Sequence, residues 1–134
     1  MGTEDDADGR PECGPHGSIY SPGCPGRLAL DRIGDRWTVL IVGVLEGGTH
    51  RFSELRDAVG GITPKVLTQA LRSMEADGLV ARAVYAEVPP PVEYSLTDLG
   101  RSLATPIEAV RTWAMANMEH FVAAKARRRR AEAP

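Results

Sequence analysis

The sequence predicts a mainly α-helical domain with one small β-hairpin, an α+β arrangement. Two capped, amphipathic helical segments follow Asp35 and Thr63, and two short strand-like segments follow Gly78. The chain has 134 residues, of which 43% are hydrophobic and 25% charged. This composition suits one globular domain with a core, and the length is too short for two.

The first two predicted helices lie between Cys24 and Gly48. The first begins near Cys24-Pro25, because proline is tolerated in an opening turn, and ends near Ile33. Asp35 is the predicted N-cap of the second helix. Its apolar stripe consists of Trp37, Leu40, Ile41, Val44 and Leu45.

The third and fourth predicted helices are short and separated by a tight turn. An extended piece at residues 50–52 leads to Ser53, the predicted N-cap of the third helix, which ends at Gly60-Gly61. Thr63 and Pro64 are the N-cap and first residue of the fourth helix, which runs to about Asp77. Its predicted buried stripe is Leu67, Ala70, Leu71 and Met74.

Two strands and a long helical region complete the predicted domain. The strands are Leu79–Tyr85 and Val92–Thr97, and the prolines between them cannot continue a ladder because proline lacks an N–H donor. Thr97 caps a helical region from Asp98 to about Ala124. We expect Pro106 to begin a new helix there rather than lie inside a continuous one.

The sequence divides into an acidic arm, a domain and a basic tail. Residues 1–23 carry a formal charge of −4, are rich in Gly and Pro, and are predicted to be a disordered arm. Residues 24–124 form the predicted domain. Residues 125–134 contain Lys125 and four arginines, and we expect a disordered basic tail with incidental affinity for nucleic acid.

Two short helices, a turn and a hairpin occur in the order of a winged helix-turn-helix domain. The outer face of the fourth helix is polar and cationic, with no carboxylate before Glu75. Its candidate DNA-binding residues are Thr63, Lys65, Thr68, Gln69, Arg72 and Ser73. Arg51 is a weaker candidate, because it could pair with a nearby carboxylate. The alternative to a DNA-binding face is that these polar residues of the fourth helix are only the solvated side of a surface helix.

Six sequence blocks add a family resemblance. They are CP at 24, IGDRW at 33, RFSELR at 51, ITPKVLT at 62, EADGLV at 75 and VEYSLT at 92. Together they resemble the HxlR-type regulators, winged-helix transcription factors of the wider MarR-like group. The resemblance spans about residues 24–115.

The resemblance implies a homodimer joined through the first helix and the C-terminal helices. Such a dimer binds double-stranded DNA at a palindromic operator, with one helix of each subunit in the major groove. Some family members sense electrophiles or oxidants through a cysteine beside the first helix, a position that Cys24 matches. The family often has a basic residue before the VEY block, where this chain has Pro91. Arg82 is therefore the expected hairpin contact with DNA.

The remaining chemistry-bearing residues leave alternatives open. In a reducing compartment Cys13 and Cys24 are expected to be thiols, and Cys24 is either an exposed sensor or inert through burial. Cys13, His16 and Cys24 lack the spacing and the fourth ligand of a zinc site, so no metal or other cofactor is predicted. Trp37 and Trp113 either line a pocket for a small-molecule effector or belong to the core or the dimer interface.

Other classes of protein are disfavoured. No nucleophile lies beside a base in a recognisable motif, and no glycine-rich phosphate loop follows a strand, so no enzyme is predicted. No apolar run approaches the roughly 18 residues that span a bilayer, and the acidic start does not resemble a signal peptide. We expect a soluble, cytoplasmic protein without membrane contact. The competing interpretation is a winged-helix module that binds another protein instead of DNA.

Overall fold

Helices dominate the computed structural model, which describes residues 19–133. Within that range the helices are α1 (Gly26–Gly34), α2 (Arg36–Leu45), α3 (Phe52–Ala58), α4 (Pro64–Ala76), α5 (Asp98–Ala116) and α6 (Met118–Glu132). The strands are β1 (His50–Arg51), β2 (Val80–Val84) and β3 (Val92–Leu96), in the antiparallel order β1-β3-β2. The predicted mainly helical fold with a β-hairpin is confirmed.

Side-chain caps fix the starts of two helices. Asp35 Oδ1 accepts a hydrogen bond from Trp37 N at 2.9 Å, and Thr63 Oγ1 accepts one from Val66 N at 3.2 Å, so both predicted N-caps are confirmed. The prediction that Ser53 caps α3 is wrong. This helix begins at Phe52, because Glu54 Oε1 reaches back to accept the backbone N–H of Arg51 at 2.7 Å.

The core is centred on α2. Ile41 and Val42 are fully buried and pack with residues of α3, α4, β2, β3 and α5. The predicted stripe of α2 is partly wrong, since Leu40 is 43% exposed while Thr38 and Val42 are buried. The reason is that α2 contacts elements on several sides, including α1, α4 and α5, so its buried surface is wider than one stripe.

The prediction that a helix begins at Pro106 is wrong, because Pro106 lies inside α5. Proline cannot donate the usual hydrogen bond to the carbonyl four residues earlier. Packing nevertheless holds the helix on both sides of it, since Ile107 is fully buried and Leu103 packs against the core. The helical region is interrupted at Asn117, between α5 and α6, and the Asn117 side chain donates a hydrogen bond to Trp113 O at 2.9 Å.

At both ends of the described range, the structure has helix or turns where the sequence predicts disorder. Residues 125–132 continue α6, whereas the sequence suggested a disordered tail. Alanine, lysine, arginine and glutamate are all strong helix formers and extend a helix that has already begun. Most of the predicted N-terminal arm, residues 1–18, lies outside the described residues. Residues 19–23 form turns that precede α1, and Cys24 N–H donates to Ser21 O at 3.0 Å.

A glycine turn directs the chain from α4 into the hairpin. Gly78 adopts a φ of +79°, a conformation that favours glycine. Leu79 N–H donates to Met74 O at 2.9 Å and Gly78 N–H donates to Glu75 O at 3.0 Å, which is a Schellman motif. The hairpin strand β2 therefore starts directly beside the end of α4.

Candidate nucleic-acid interface

One side of α4 packs in the core and the other faces outward. Leu67, Leu71 and Met74 are buried. On the opposite side Lys65, Gln69 and Arg72 are exposed, at the i, i+4 and i+7 spacing that places residues on one helix face. No acidic residue lies in the first turn of this helix. The outer face of α4, defined by Lys65, Gln69 and Arg72, thus presents hydrogen-bonding groups and two cations.

The three candidate hydroxyl residues have different amounts of free hydrogen-bonding capacity. Thr63 Oγ1 accepts from Val66 N, which leaves its hydroxyl proton for an outside acceptor. Thr68 Oγ1 donates to Pro64 O at 2.8 Å, so it retains only acceptor capacity. Ser73 lies at the edge of the outer face.

The sheet register aligns three side chains across its strands. His50 of β1 lies opposite Tyr94 of β3, and Tyr94 lies opposite Arg82 of β2. Directly opposed residues project from the same face of a sheet. Val80 lies two residues before Arg82, on the same face, and is buried. Arg82 therefore lies on the core-facing side of the hairpin, towards α4.

A polar cavity of about 410 Å³ lies between part of α4 and the sheet. Its lining residues are Phe52, Thr68, Leu71, Arg72, Glu75, Arg82 and Tyr94. Arg72 and Arg82 thus come together at one concave site, although they belong to different elements. Between residues 19 and 133, neither guanidinium lies within ion-pair distance of a carboxylate.

Arg51 is separated from these two arginines. Arg51 lies opposite Glu93 of β3, whereas Arg82 lies opposite the next residue, Tyr94. Because neighbouring residues of a strand project to opposite faces, Arg51 and Arg82 lie on opposite faces of the sheet. Glu54 binds the backbone N–H of Arg51 rather than its guanidinium. The structure therefore brings Arg82, but not Arg51, to the cavity beside α4.

The hairpin tip contributes little positive charge. Residues 83–92 contain no lysine or arginine, and Glu87 is exposed near the tip. Val88 is 98% exposed and carries no charge. Any cationic contact from this hairpin must therefore come from Arg82.

Cys24 is neither exposed nor a thiol in this structure, contrary to the expectation of a reduced cysteine. It is 6% exposed and disulfide-bonded. Its backbone carbonyl accepts a hydrogen bond from Arg27 N at 3.0 Å, in the turn that leads into α1. Cys13, the other cysteine of the chain, lies outside the described residues.

The two tryptophans have different surroundings in the structure. Trp37 packs at the edge of the core with the Arg36 guanidinium 4.6 Å above its ring, whereas Trp113 is 59% exposed on α5. An apolar cleft of about 400 Å³ lies elsewhere, between α1, the end of α4 and α5. Leu28, Leu79, Leu99 and Leu103 contribute to it, together with the paired side chains of Arg32 and Asp77.

Two further features concern metals and membranes. In the part of the chain that the structure describes, no three His, Cys, Asp or Glu side chains are grouped so that they could hold a metal ion. No helix in that part combines the length and the apolar character needed to cross a bilayer.

Comparison with known proteins assigns the family. Residues 32–121 match the family model described as HxlR-like helix-turn-helix. The chain belongs to the HxlR-like helix-turn-helix family. The match includes the whole of α2, α3, α4 and the hairpin, so it covers every element that surrounds the candidate interface.

Curated and solved relatives agree with this assignment. The HTH-type transcriptional regulator YtfH of Escherichia coli K12 is 41% identical over 109 residues, which cover 81% of this chain and 86% of that protein. The structure of the transcriptional regulator ytfH from Salmonella typhimurium has a TM-score of 0.72 and 40% identity, covering 81% of this chain and 97% of that one. The redox regulator HypR in its reduced form has a TM-score of 0.68 and 39% identity, covering 74% and 98%.

This HxlR-like protein is therefore a transcriptional regulator with a winged helix-turn-helix fold and not an enzyme.

The sequence did not point to the positions of Phe52 and Tyr94 beside Arg72 and Arg82. Their placement depends on β1, a strand of only two residues whose pairing with β3 produces no periodic pattern. The alternation of apolar and polar residues in β3 places Tyr94 on the same face as Val92 and Leu96, but it does not show that Tyr94 lies opposite Arg82.

Proposed function

We propose that this regulator binds double-stranded DNA sequence-specifically, as a homodimer on a palindromic operator. The single observation that carries the proposal is the outer face of α4, which is exposed and cationic and has no carboxylate before Glu75. A helix in the major groove needs such donors to contact base edges and phosphates.

The proposed docking places α4 in the major groove with its N-terminal half nearest the bases. Lys65 can donate to guanine, and Gln69 can form two hydrogen bonds to adenine. The N–H groups in the first turn of α4 and the positive end of its helix dipole favour a nearby phosphate. Arg82 supports the same docking from the hairpin.

Exposed apolar side chains support the homodimer. Helix α1 has no buried residue, and its Leu28 is 72% exposed. On α5 and α6 the exposed large apolar residues are Leu99, Val110, Trp113, Met115, Met118, Phe121 and Val122. Apolar residues gathered on the first and last helices favour burial against a second copy through a two-fold interface. The exposed position of Trp113 fits this interface better than an effector pocket.

The regulator is also proposed to respond to oxidants through Cys24. Support comes from the redox regulator HypR, solved in reduced form and also in an oxidised form with a TM-score of 0.65. Cys24 is disulfide-bonded and lies two residues before α1, one of the helices proposed to form the dimer. Its oxidation state can therefore alter the interface that sets the spacing of the two α4 helices.

Selection of bound duplexes from a random DNA library tests the DNA-binding proposal. We expect enrichment of a palindrome whose half-sites lie about 10–10.5 base pairs apart, or a multiple of that spacing, because a two-fold dimer presents two identical helices. Binding should weaken steeply as salt rises. Failure to enrich any sequence, together with no salt-dependent binding to duplex DNA, would favour the alternative of a module that binds another protein.

A further inference from the structure

Arg72 and Arg82 occupy neighbouring positions that two different elements determine. Arg72 lies on α4 between Thr68 and Glu75, one turn away in each direction, and this row borders the sheet. Arg82 is held in register opposite Tyr94, with buried Val80 anchoring its strand. Both guanidinium-bearing side chains line the cavity of about 410 Å³ between α4 and the sheet.

The charges around this cavity favour an anion. The lining includes two arginines and one carboxylate, that of Glu75, which gives a formal charge of +1. Within residues 19–133 neither Arg72 nor Arg82 forms an ion pair, and Tyr94 contributes a hydroxyl that makes no protein hydrogen bond there. Two guanidinium groups at one site repel each other unless an anion lies between them. A single phosphate monoanion would neutralise the site.

We infer that Arg72 and Arg82 bind one and the same backbone phosphate of the DNA, with the Tyr94 hydroxyl as a third donor. This inference rests on the proposed DNA-binding function and extends it. Guanidinium groups suit phosphate because their N–H donors match its oxygens in pairs. The shared phosphate fixes α4 and the hairpin in one register on the duplex.

The inference assigns different tasks to the residues of α4. A phosphate contact positions the protein but carries no sequence information, whereas contacts to base edges carry it. Arg72 therefore positions the helix, although its place on α4 alone would also suit a guanine contact. Sequence preference is left to Lys65 and Gln69, which do not line the cavity.

A methylphosphonate scan of the selected operator tests the shared phosphate. Each backbone phosphate is replaced in turn by an uncharged methylphosphonate, and the affinity of the full chain is measured by fluorescence anisotropy. The proteins compared are the wild type, Arg72→Ala, Arg82→Ala and the double variant. Arg101→Ala is the matched control, because it removes one cation that is paired with Asp98 on α5.

We expect neutralisation of one symmetry-related phosphate in each half-site to weaken wild-type binding, to weaken binding by each single variant less, and to have no effect on the double variant. Each single variant should reduce the steepness of log K against log[salt] by less than about 0.9 per half-site, because the other arginine still contacts the phosphate, and the double variant should reduce it by about 0.9. Base preference should be unchanged, and Arg101→Ala should behave as the wild type.

Two results would overturn the shared phosphate while leaving DNA binding intact. One is loss of sensitivity at different phosphates in the two single variants, with a change in slope of about 0.9 per half-site in each and about twice that in the double variant. The other is a relaxed base preference in Arg72→Ala, which would mean that Arg72 reads a base. A wild-type protein that binds no duplex at all would instead overturn both the inference and the proposed function.

Discussion

Thr97 Oγ1 donates a hydrogen bond to Gly78 O at 2.5 Å, which joins the start of α5 to the end of α4. The same oxygen accepts the N–H of Gly100 at 3.0 Å, and Thr97 N–H donates to Leu79 O at 3.1 Å. One threonine thus ties the proposed recognition helix, the base of the hairpin and a proposed dimer helix together. These three hydrogen bonds connect the end of α4 with the start of α5 within one chain.

Replacing Thr97 with valine should destabilise the domain. Thr97→Val removes the N-cap acceptor of α5 and the donor to Gly78, and loss of a cap typically costs about 1–2 kcal/mol. We expect the midpoint of thermal unfolding, followed by circular dichroism, to fall by several degrees. Thr97→Ser keeps the hydroxyl and should melt close to the wild type. Equal melting temperatures for valine and serine would show that these hydrogen bonds contribute little.

Gly100 permits the close approach of α5 to the base of the hairpin. A Cβ atom at this position would lie 2.1 Å from Leu79 O, which is backbone and cannot move as a flexible side chain would. We expect Gly100→Ala to lower the free energy of unfolding by about 1–3 kcal/mol, the usual cost of overpacking. The measurement is urea denaturation.

Gly60→Ala is the matched control for that change. A Cβ atom added at Gly60 would meet no other atom within 4 Å, and Gly60 has no positive φ, so alanine should be neutral or slightly stabilising there. A Gly100→Ala variant as stable as Gly60→Ala would contradict the close packing of α5 on Leu79.

The proposed dimer interface predicts the effect of a charge on α6. Phe121 is half-exposed and its ring contacts that of Trp113 edge-on, with centroids 5.8 Å apart. Phe121→Asp would place an unpaired carboxylate in the apolar interface, so we expect monomers by light scattering after gel filtration. Val88→Asp, at the exposed hairpin tip, should remain dimeric. Unchanged dimers of Phe121→Asp would exclude this face from the interface.

Oxidant sensing predicts a role for Cys24 that operator binding can reveal. Formation of a disulfide from two thiols releases two protons and two electrons, which diamide accepts as it is reduced to the hydrazine. We expect diamide to weaken operator binding by the reduced wild type and to leave Cys24→Ser unaffected. The reduced forms of both proteins should bind equally. Cys13→Ser is the parallel variant, and an undiminished diamide response in Cys24→Ser would contradict the sensor role.

Local signals explain why the helix starts around the interface were predictable. Asp35, and Thr63 followed by Pro64, determine where α2 and α4 begin through short-range hydrogen bonds and a preset proline φ. The buried and exposed sides of α4 likewise follow from helical periodicity. The sequence could therefore predict the outer face of α4 before the fold was known.

Tertiary packing explains what the sequence did not predict. Pro106 lies inside α5 because Leu103 and Ile107 pack on the core at either side, which local propensity does not encode. The position of Arg72 and Arg82 at one cavity depends on strand register and on the glycine turn at Gly78. The disulfide state of Cys24 is likewise not readable from residue type alone.

The most direct test of the central claim is the affinity of α4 variants for the selected operator. Fluorescence anisotropy should show that Gln69→Ala loses about 1–3 kcal/mol of binding free energy and accepts other bases at one position of each half-site. Lys65→Ala should also bind more weakly, whereas Lys125→Ala, on α6, should retain base preference. If Gln69→Ala and Lys65→Ala both bound the operator with wild-type affinity and preference, the outer face of α4 would not be the DNA-reading surface.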